Sequence, residues 1–304
     1  MFELPWTAPM NTIPGRRSFF ASAGILALLM APGSSLARDM ISKAGSVNNS
    51  SPAGLHSLKS SAVLVQDIKS GRQIYAREAG ISRPIASISK LLTALVVLES
   101  GSALHEVIQV TNEDVDRVKF SRSYISVGAK LSRFDLLCMA LMSSENRAAH
   151  ALGRNHPGGM SAFVSAMNAK AISLGMLSSR FVEPTGLSSE NISTPKDLFT
   201  LLKASYQNSI IRSLSSTASK EIGIFGRPTL FHNTNPLVRN GGWKILVSKT
   251  GYIGESGRCL AMVAKINQRD VAIILLGATG KEARTNDAIK IRQSLMATSS
   301  AIPG

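Results

Sequence analysis

The 304-residue sequence is poor in cysteine, in charged residues and above all in acidic residues, and each shortage excludes a class of protein. Its two cysteines, Cys138 and Cys259, are too few for a disulfide-dense scaffold or a four-cysteine zinc site. Only 17% of the residues are charged and 44% are hydrophobic, which excludes a disordered tail. With 19 acidic against 34 basic residues the formal net charge is +15, which predicts attraction to a polyanion without identifying it.

The N-terminal segment has the pattern of an export signal. Arg16 and Arg17 precede an apolar run over 19–31, which is shorter than the ~20 residues of a membrane-spanning helix. The small-residue triplet 35–37 follows, so we predict a secretory signal peptide over residues 1–37. The arginine pair also leaves twin-arginine export open as an alternative to the general secretory route. The chain beyond residue 37 remains strongly basic, and in an exported protein cell-wall polymers or lipid headgroups are the expected polyanions.

Beyond the signal the pattern predicts a flexible lead-in over 38–60, a catalytic domain over 61–297 and a short tail over 298–304. Strands are predicted near both ends of this domain and helices in its middle, so the fold class is α/β with a sheet shared by the two ends. Hairpin connections make the sheet mainly antiparallel, and a helical lobe is expected as an insertion. The predicted strands are 62–68, 72–77, 245–248, 259–266 and 271–277. The predicted helices are 87–100, 134–142, 147–154, 160–174, 196–206 and 282–296.

Several common catalytic motifs are excluded. His105-Glu-Val-Ile-Gln109 has Gln where a zinc protease needs its second histidine. The run Gly254-Glu-Ser-Gly257 has the wrong spacing for a nucleophile elbow, and neither a Walker loop nor a dinucleotide fingerprint occurs. No metal and no organic cofactor is implied.

Three short motifs remain, in a fixed order. They are Ser87-Ile-Ser-Lys90, Ser144-Glu-Asn146 and Lys249-Thr-Gly251. The first two occur a second time, as Ser193-Thr-Pro-Lys196 and Ser189-Glu-Asn191. The second Ser-x-x-Lys has the cap, proline and acidic first turn of a helix start, which predicts a structural role. The first copy opens an apolar helix instead, so Ser87 and Lys90 are expected on one helix face.

These residue types suit nucleophilic catalysis without histidine. A serine hydroxyl needs a base to remove its proton, and the base available to Ser87 is a neutral Lys90. Burial, a second cation at Lys249 and the helix N-terminus at Ser87 are expected to lower the pKa of Lys90. Ser144, at a break between helices, is expected to relay a proton to the leaving amine.

The remaining motif residues are expected to bind substrate. Asn146 can pair with a substrate amide, and Lys249 with Thr250 can bind a carboxylate. Gly251 ends a strand, and its missing side chain would let a substrate backbone lie alongside as an additional strand.

The motifs and their flanking runs 84–94, 140–149 and 180–188 resemble low-molecular-mass penicillin-binding proteins, the serine DD-peptidases, and more narrowly their D-alanyl-D-alanine endopeptidase branch. The resemblance implies a three-layer sandwich with about five mainly antiparallel strands flanked by helices, plus the inserted helical lobe. It implies an acyl-enzyme on Ser87, an oxyanion hole formed by the backbone N–H groups of Ser87 and Tyr252, and covalent inhibition by β-lactams. Ser256 departs from the family, in which alanine is usual.

The resemblance favours a periplasmic endopeptidase that cleaves peptidoglycan cross-links, with stem peptides as partners and neither nucleic acid nor a stable membrane anchor. The short C-terminal tail, which has no room for an anchoring helix, favours the same branch. A D-alanyl-D-alanine carboxypeptidase, a serine β-lactamase and a non-hydrolytic wall-binding or β-lactam-sensing domain are the alternatives.

Overall fold

The computed structural model describes residues 54–300, with side chains as far as 297. Eleven strands are present in this part of the chain. They are β1 (Ala62–Asp67), β2 (Gln73–Arg77), β3 (Arg83–Pro84), β4 (Val107–Gln109), β5 (Lys130–Ser132), β6 (Ile192–Ser193), β7 (Ser219–Ile224), β8 (Arg227–His232), β9 (Lys244–Ile253), β10 (Gly257–Ile266) and β11 (Arg269–Ala278).

The helices occupy mainly the middle of the chain. They are α1 (Lys90–Glu99), α2 (Arg133–Met142), α3 (Asn146–Arg154), α4 (Gly159–Ser173), α5 (Pro195–Gln207), α6 (Ser209–Ser216), α7 (Pro236–Arg239) and α8 (Ala283–Ser300). Short 3₁₀ turns cover Leu55–Ser57, Ala86–Ser89 and Asn112–Asp114. Side-chain caps fix several of the helix starts: Ser132 accepts from the backbone of Asp135 at α2, and Thr194 accepts from Asp197 at α5.

The main sheet has five strands in the order β2-β1-β11-β10-β9, and every neighbouring pair is antiparallel. The first two strands and the last three of the domain therefore meet in one sheet, which confirms the predicted α/β fold with a sheet shared by the two ends. Because β9 is an edge strand, the motif that it carries stands at an open margin of the sheet.

Apolar side chains alternate between the two faces of the sheet and build a separate core on each. On one face Val63, Ile273 and Leu275 pack with Leu295 of α8. On the other face, residues such as Leu64 and Ile274 pack under α1, α2 and α5. The result is a helix, sheet, helix sandwich, as the resemblance implies.

The structure departs from the sequence-based prediction in several places. The short strands β3 to β6 and helix α7 were not predicted, and β9 continues to Ile253, so Gly251 lies inside this strand rather than at its end. The hairpin β7–β8 and helix α6 were not predicted, because their short, partly exposed segments lack a continuous apolar pattern. Residues 54–60, assigned to the flexible lead-in, are packed: Leu55 is buried, and the backbone amides of Lys59 and Ser60 donate to the Asp287 carboxylate at 3.0 and 2.7 Å. The ordered domain thus extends to Gly54.

The proposed signal peptide, most of the lead-in and the last residues of the tail lie outside the described residues. Within 54–300, no helix combines the length and apolar character needed to cross a bilayer. Cys138 and Cys259 are both buried free thiols, and each packs as a small apolar side chain.

Candidate active site

Ser87 lies in the 3₁₀ turn that leads directly into α1. The preceding residue, Ala86, has a positive φ of 48°, which is strained for a residue with a side chain. This backbone turn places Ser87 at the seam between the edge strand β9 and the helical lobe, where it lines two neighbouring cavities.

Lys90 is completely buried and its ammonium group points back at Ser87. Lys90 Nζ lies 2.8 Å from Ser87 Oγ and 2.7 Å from Asn146 Oδ1. It also donates to the carbonyl oxygen of Thr185 at 2.6 Å. These three contacts fix the position of the Lys90 nitrogen beside Ser87. Two of them come from the predicted motifs, and the third, from the carbonyl of Thr185, was not predicted.

The pKa of Lys90 is lowered to about 7, and its cause is burial, which penalises the charged form. The carboxylates of Glu183, Glu145 and Asp116 oppose this effect without cancelling it. Lys249, which was expected to lower the pKa of Lys90, is not among these causes. The effect instead acts on Lys249, whose pKa is held well below its usual range by burial and by the charge of Lys90. At neutral pH, Lys90 is therefore poised to accept a proton from Ser87.

Asn146 and Ser144 lie at the break between α2 and α3. Besides accepting from Lys90, Asn146 donates through Nδ2 to Ser121 Oγ at 2.8 Å, which fixes its amide plane. Ser144 has a positive φ of 61° and lines the same cavity as Ser87, but it is not one of the three partners of Lys90. A proton relay through Ser144 therefore remains a proposal that needs substrate in the cavity.

The third motif lies on β9. Lys249 is buried and donates to the carbonyl of Thr250 at 3.0 Å. The hydroxyl of Thr250 lies 2.6 Å from the hydroxyl of Thr234. Arg284, at the start of α8, donates from Nη1 to the carbonyl oxygen of Gly251 at 2.7 Å and lines the cavity beside Thr250. The hydroxyls of Thr234 and Thr250 and the guanidinium of Arg284 therefore converge on one end of this cavity, which suits a carboxylate.

Gly251 is required for a different reason from the one that the sequence suggested. A Cβ at this position would lie 3.0 Å from Ser87 N, Ala86 Cβ and the carbonyl oxygen of Ile85. The missing side chain thus lets β9 pack against the nucleophile turn rather than against a substrate. An extended substrate peptide can still pair with β9 as an additional strand, because β9 is an edge strand.

Tyr252 follows Gly251 at the exposed margin of β9. Its side chain is 58% exposed, and the guanidinium of Arg258 lies 4.7 Å from its ring centroid. Tyr252 lines the cavity that contains Ser87. The oxyanion hole assigned to the N–H groups of Ser87 and Tyr252 remains a proposal.

The loop that carries the carbonyl of Thr185 is organised by Glu183, a residue that the motif search did not single out. The Glu183 carboxylate accepts from the backbone amides of Thr185 and Gly186, each at 2.6 Å. A Cβ on Gly186, whose φ is +81°, would lie 2.0 Å from the carbonyl oxygen of Ala86. The run Pro184-Thr-Gly186 was visible in the sequence only as part of the family resemblance.

Thr234 and Arg284 were not predicted, because a single threonine or arginine carries no pattern and only the fold brings each one beside β9. Of the residues that the sequence analysis assigned, Ser87, Ser144, Asn146, Thr250, Gly251 and Tyr252 line one cavity of about 240 Å³, and Lys90 and Lys249 are buried close to it.

This cavity is the middle of a longer cleft. A cavity of about 340 Å³ continues from Ser87 and Asn146 past Gly186 and Tyr252. An ion pair between Lys119 and Glu255 joins the loop before β5 to the β9–β10 turn at this end. On the other side of Ser144 and Thr234 a further cavity of about 350 Å³ opens.

The five-stranded sheet and the Ser–Lys pair at its seam define the class of serine peptidases with a penicillin-binding fold. The family profile described as D-alanyl-D-alanine carboxypeptidase matches residues 47–280, and the chain belongs to this family. It is 44% identical over 263 residues to the D-alanyl-D-alanine endopeptidase of Pseudomonas aeruginosa, covering 84% of each chain. It is 41% identical to the enzyme of that name from Escherichia coli, covering 91% of this chain and 87% of the relative.

A solved structure gives the same result for the fold. The crystal structure of the Streptomyces K15 DD-transpeptidase superposes with a TM-score of 0.73 at 26% identity, covering 79% of this chain and 98% of that one. A relative named D-alanyl-D-alanine carboxypeptidase, from Streptomyces sp. K15, is 29% identical over 238 residues. The chain is therefore a hydrolase of the serine DD-peptidase family, and its more similar relatives are named endopeptidases.

Proposed function

We propose that this protein is a D-alanyl-D-alanine endopeptidase that cleaves peptide cross-links in peptidoglycan through an acyl-enzyme on Ser87. The observation that carries the proposal is the contact of 2.8 Å between Ser87 Oγ and the fully buried Lys90, whose pKa of about 7 allows a neutral amine. The names of the relatives at 44% and 41% identity support the choice of substrate.

In the acylation step Ser87 Oγ attacks the carbonyl carbon of the D-alanine on the donor side of the cross-link. Its proton passes to Lys90 Nζ, and the carbonyl oxygen becomes an oxyanion held by the N–H groups of Ser87 and Tyr252. The C–N bond then breaks, and the proton held on Lys90 is delivered through Ser144 to the leaving nitrogen. The donor peptide remains as an ester on Ser87.

Hydrolysis of the ester completes the cycle. Lys90 accepts a proton from water, the resulting hydroxide attacks the ester carbon, and the proton returns to Ser87 Oγ as the bond to the serine breaks. A free donor carboxylate is the product, so the net reaction consumes one water and one amide bond.

The rest of the motif set positions the substrate. Asn146, fixed by Lys90 and Ser121, is placed to bind an amide of the donor peptide. Thr250, with Lys249 and Arg284 behind it, is placed to bind the carboxylate beside the leaving nitrogen. β-Lactams, which present a similar carboxylate and a strained amide, are expected to acylate Ser87 and to stay bound.

A D-alanyl-D-alanine carboxypeptidase is the second candidate, and the description of the family favours it. It would use the same chemistry with free D-alanine as the leaving group. For a non-hydrolytic wall-binding or β-lactam-sensing domain, or for a β-lactamase, no feature of the site gives comparable support, and an intact Ser87–Lys90 pair argues against a domain without catalysis.

We also propose that the protein acts in the periplasm, because the N-terminal pattern over 1–37 is that of an export signal and peptidoglycan lies outside the cytoplasm. Replacing Arg16 and Arg17 by lysine tests the route: loss of export indicates the twin-arginine pathway, and unchanged export indicates the general secretory one.

The test of the reaction is incubation of the purified protein with cross-linked muropeptide dimers and with uncross-linked pentapeptides, followed by mass spectrometry. Conversion of dimers to monomers supports the endopeptidase. Loss of one alanine from pentapeptides, with the dimers intact, overturns that assignment in favour of the carboxypeptidase.

A further inference from the structure

The cleft continues beyond the catalytic cavity on the side where the leaving group departs. The catalytic cavity and the next one share Ser144 and Thr234. Thr234 is also the partner of Thr250, which is placed to bind the carboxylate of the leaving residue. The second cavity, of about 350 Å³, therefore begins where that residue ends.

A carboxypeptidase has no use for such a space, because its leaving group is a single amino acid. In a cross-link, by contrast, the leaving nitrogen belongs to a second stem peptide, which has to continue away from Thr250. The cavity past Thr234 is a continuous path for it.

The charge of this cavity is positive. Its two cations are Arg122 and Arg239, which line it together with His232, and all three residues are exposed. Arg239 is oriented by one hydrogen bond of 2.6 Å from Nη1 to the carbonyl oxygen of Asn233. The acid that lines it, Glu145, is buried and its carboxylate accepts from Ser123 Oγ and the backbone of Tyr124, at 2.8 and 2.9 Å.

Apolar surface accompanies these cations. Tyr124 is 68% exposed and Leu230 is 57% exposed, and both line the cavity. The ring of Tyr124 packs edge-on against Phe231, with 6.4 Å between the centroids, so its exposed face is held in place. Cations beside a rigid aromatic face suit a peptide that carries carboxylates.

The opposite end of the cleft has the opposite charge. The cavity that shares Asn146 and Leu187 with the donor side is lined by four acidic residues and one arginine, namely Glu113, Asp114, Asp116, Glu183 and Arg117, and by His150. A substrate is therefore offered acidic groups at one end and basic groups at the other, which favours one orientation across Ser87.

We infer that the cavity lined by Arg122, Tyr124, Leu230, His232 and Arg239 is the subsite for the acidic stem peptide attached to the leaving amine. This inference rests on the proposed endopeptidase function and names the residues that would select a cross-linked substrate. Arg122 and Arg239 bind carboxylates of that peptide, and the two residues act on the affinity for a cross-linked substrate rather than on the chemistry at Ser87.

The test compares hydrolysis of a cross-linked tetrapeptide dimer by the wild-type protein and by the variant R122A/R239A. Loss of two exposed ion pairs, each of them weak, predicts that KM for the dimer rises about tenfold, with kcat within about twofold. A dimer amidated at the carboxylates of the second stem peptide, except the one beside the leaving nitrogen that Thr250 is placed to bind, is expected to show no such difference between the two proteins. The rate of acylation by benzylpenicillin, which has no second peptide, reports the state of the catalytic cavity.

Two further variants serve as controls. K196A/K203A removes the same charge from exposed positions on α5 that line none of these cavities, and it is expected to keep the wild-type KM. The single variant R122E leaves Arg239 and its hydrogen bond to Asn233 in place. It is expected to raise KM for the free-acid dimer because it replaces an attractive charge by a repulsive one. The test therefore still holds if loss of Arg239 disturbs the turn at Asn233.

The outcomes separate the two proposals. A wild-type protein that leaves the dimer intact overturns the endopeptidase function, and the subsite with it. A wild-type protein that cleaves the dimer, with the same KM in R122A/R239A and R122E, overturns the subsite alone. An equal rise in KM for the free-acid and the amidated dimer also overturns it, because charge recognition requires a difference.

Discussion

Gly251 leaves no room for a side chain against Ser87, since a Cβ on Gly251 would lie 3.0 Å from Ser87 N. The edge strand that is placed to bind substrate is therefore packed against the turn that carries the nucleophile. A side chain at position 251 would push β9 and the Ser87 turn apart. The glycine therefore permits the short distance between the Lys-Thr-Gly motif and the Ser-x-x-Lys motif.

Replacement of Gly251 by alanine is expected to slow acylation as well as to destabilise the fold. The added methyl group has backbone on two sides, and overpacking of this kind costs about 1–3 kcal/mol. The measurement is urea unfolding together with the rate of penicillin acylation. Gly223, on β7, gives a matched control, because a Cβ there has no atom within 4 Å. If G251A acylates at the wild-type rate, the contact has no role in positioning Ser87.

Replacement of Ser87 by alanine is expected to abolish both the covalent penicillin adduct and the cleavage of cross-linked dimers. The loss of turnover is about a thousandfold or more, because no acyl-enzyme can form without the hydroxyl. Intact-protein mass spectrometry detects the adduct directly. Ser193 opens the second Ser-x-x-Lys sequence, so S193A is the control and should still form the adduct. An adduct on S87A would remove Ser87 from the mechanism.

The same pair of serines shows what the sequence could establish. Both begin a Ser-x-x-Lys motif, but Ser193 lies on β6 just before the cap of α5, whereas Ser87 faces Lys90. Local signals distinguish the two, because a proline and an acidic residue mark a helix start. Strands β10 and β11 were predictable for a similar reason: they are long, apolar and joined by a short turn.

The parts that were not predicted depend on contacts between distant segments. The carbonyl of Thr185 reaches Lys90 across 95 positions of sequence, and Arg284 reaches Gly251 across 33. No local pattern marks either residue, since a backbone carbonyl is present everywhere and an arginine at a helix start is common. Likewise, the role of Gly251 could not be read from its motif, because its crowding comes from the Ser87 turn.

Replacement of Asp114 by asparagine is expected to destabilise the protein near neutral pH and to matter less as the pH falls. Burial alone would raise the pKa of Asp114, but hydrogen bonds from His150 and Arg154 hold it at about 2, below the ordinary value of 3.8. Its carboxylate thus contributes about 2 kcal/mol of stability above about pH 4, and this is lost as the pH falls through 2.

The measurement is the difference in free energy of unfolding between wild type and D114N, at pH values from 7 down to 2.5. E113Q changes the exposed neighbour on the same turn and is expected to alter stability by less than about 0.5 kcal/mol. A difference that stays constant between pH 7 and 2.5 would show that the charge of Asp114 contributes nothing.

The rate of acylation is expected to follow the deprotonation of Lys90. Because burial lowers the pKa of Lys90 to about 7, the neutral amine predominates only above that pH. The rate constant for acylation by benzylpenicillin should therefore rise about tenfold per pH unit below 7 and level off above it. K90R retains a positive charge but cannot lose its proton, so its acylation should fall by about a hundredfold or more at every pH. K196R, in the second Ser-x-x-Lys sequence, provides the matched control and should keep both the wild-type rate and its pH profile. A wild-type rate that does not change between pH 5 and 8 would contradict the assignment of Lys90 as the base.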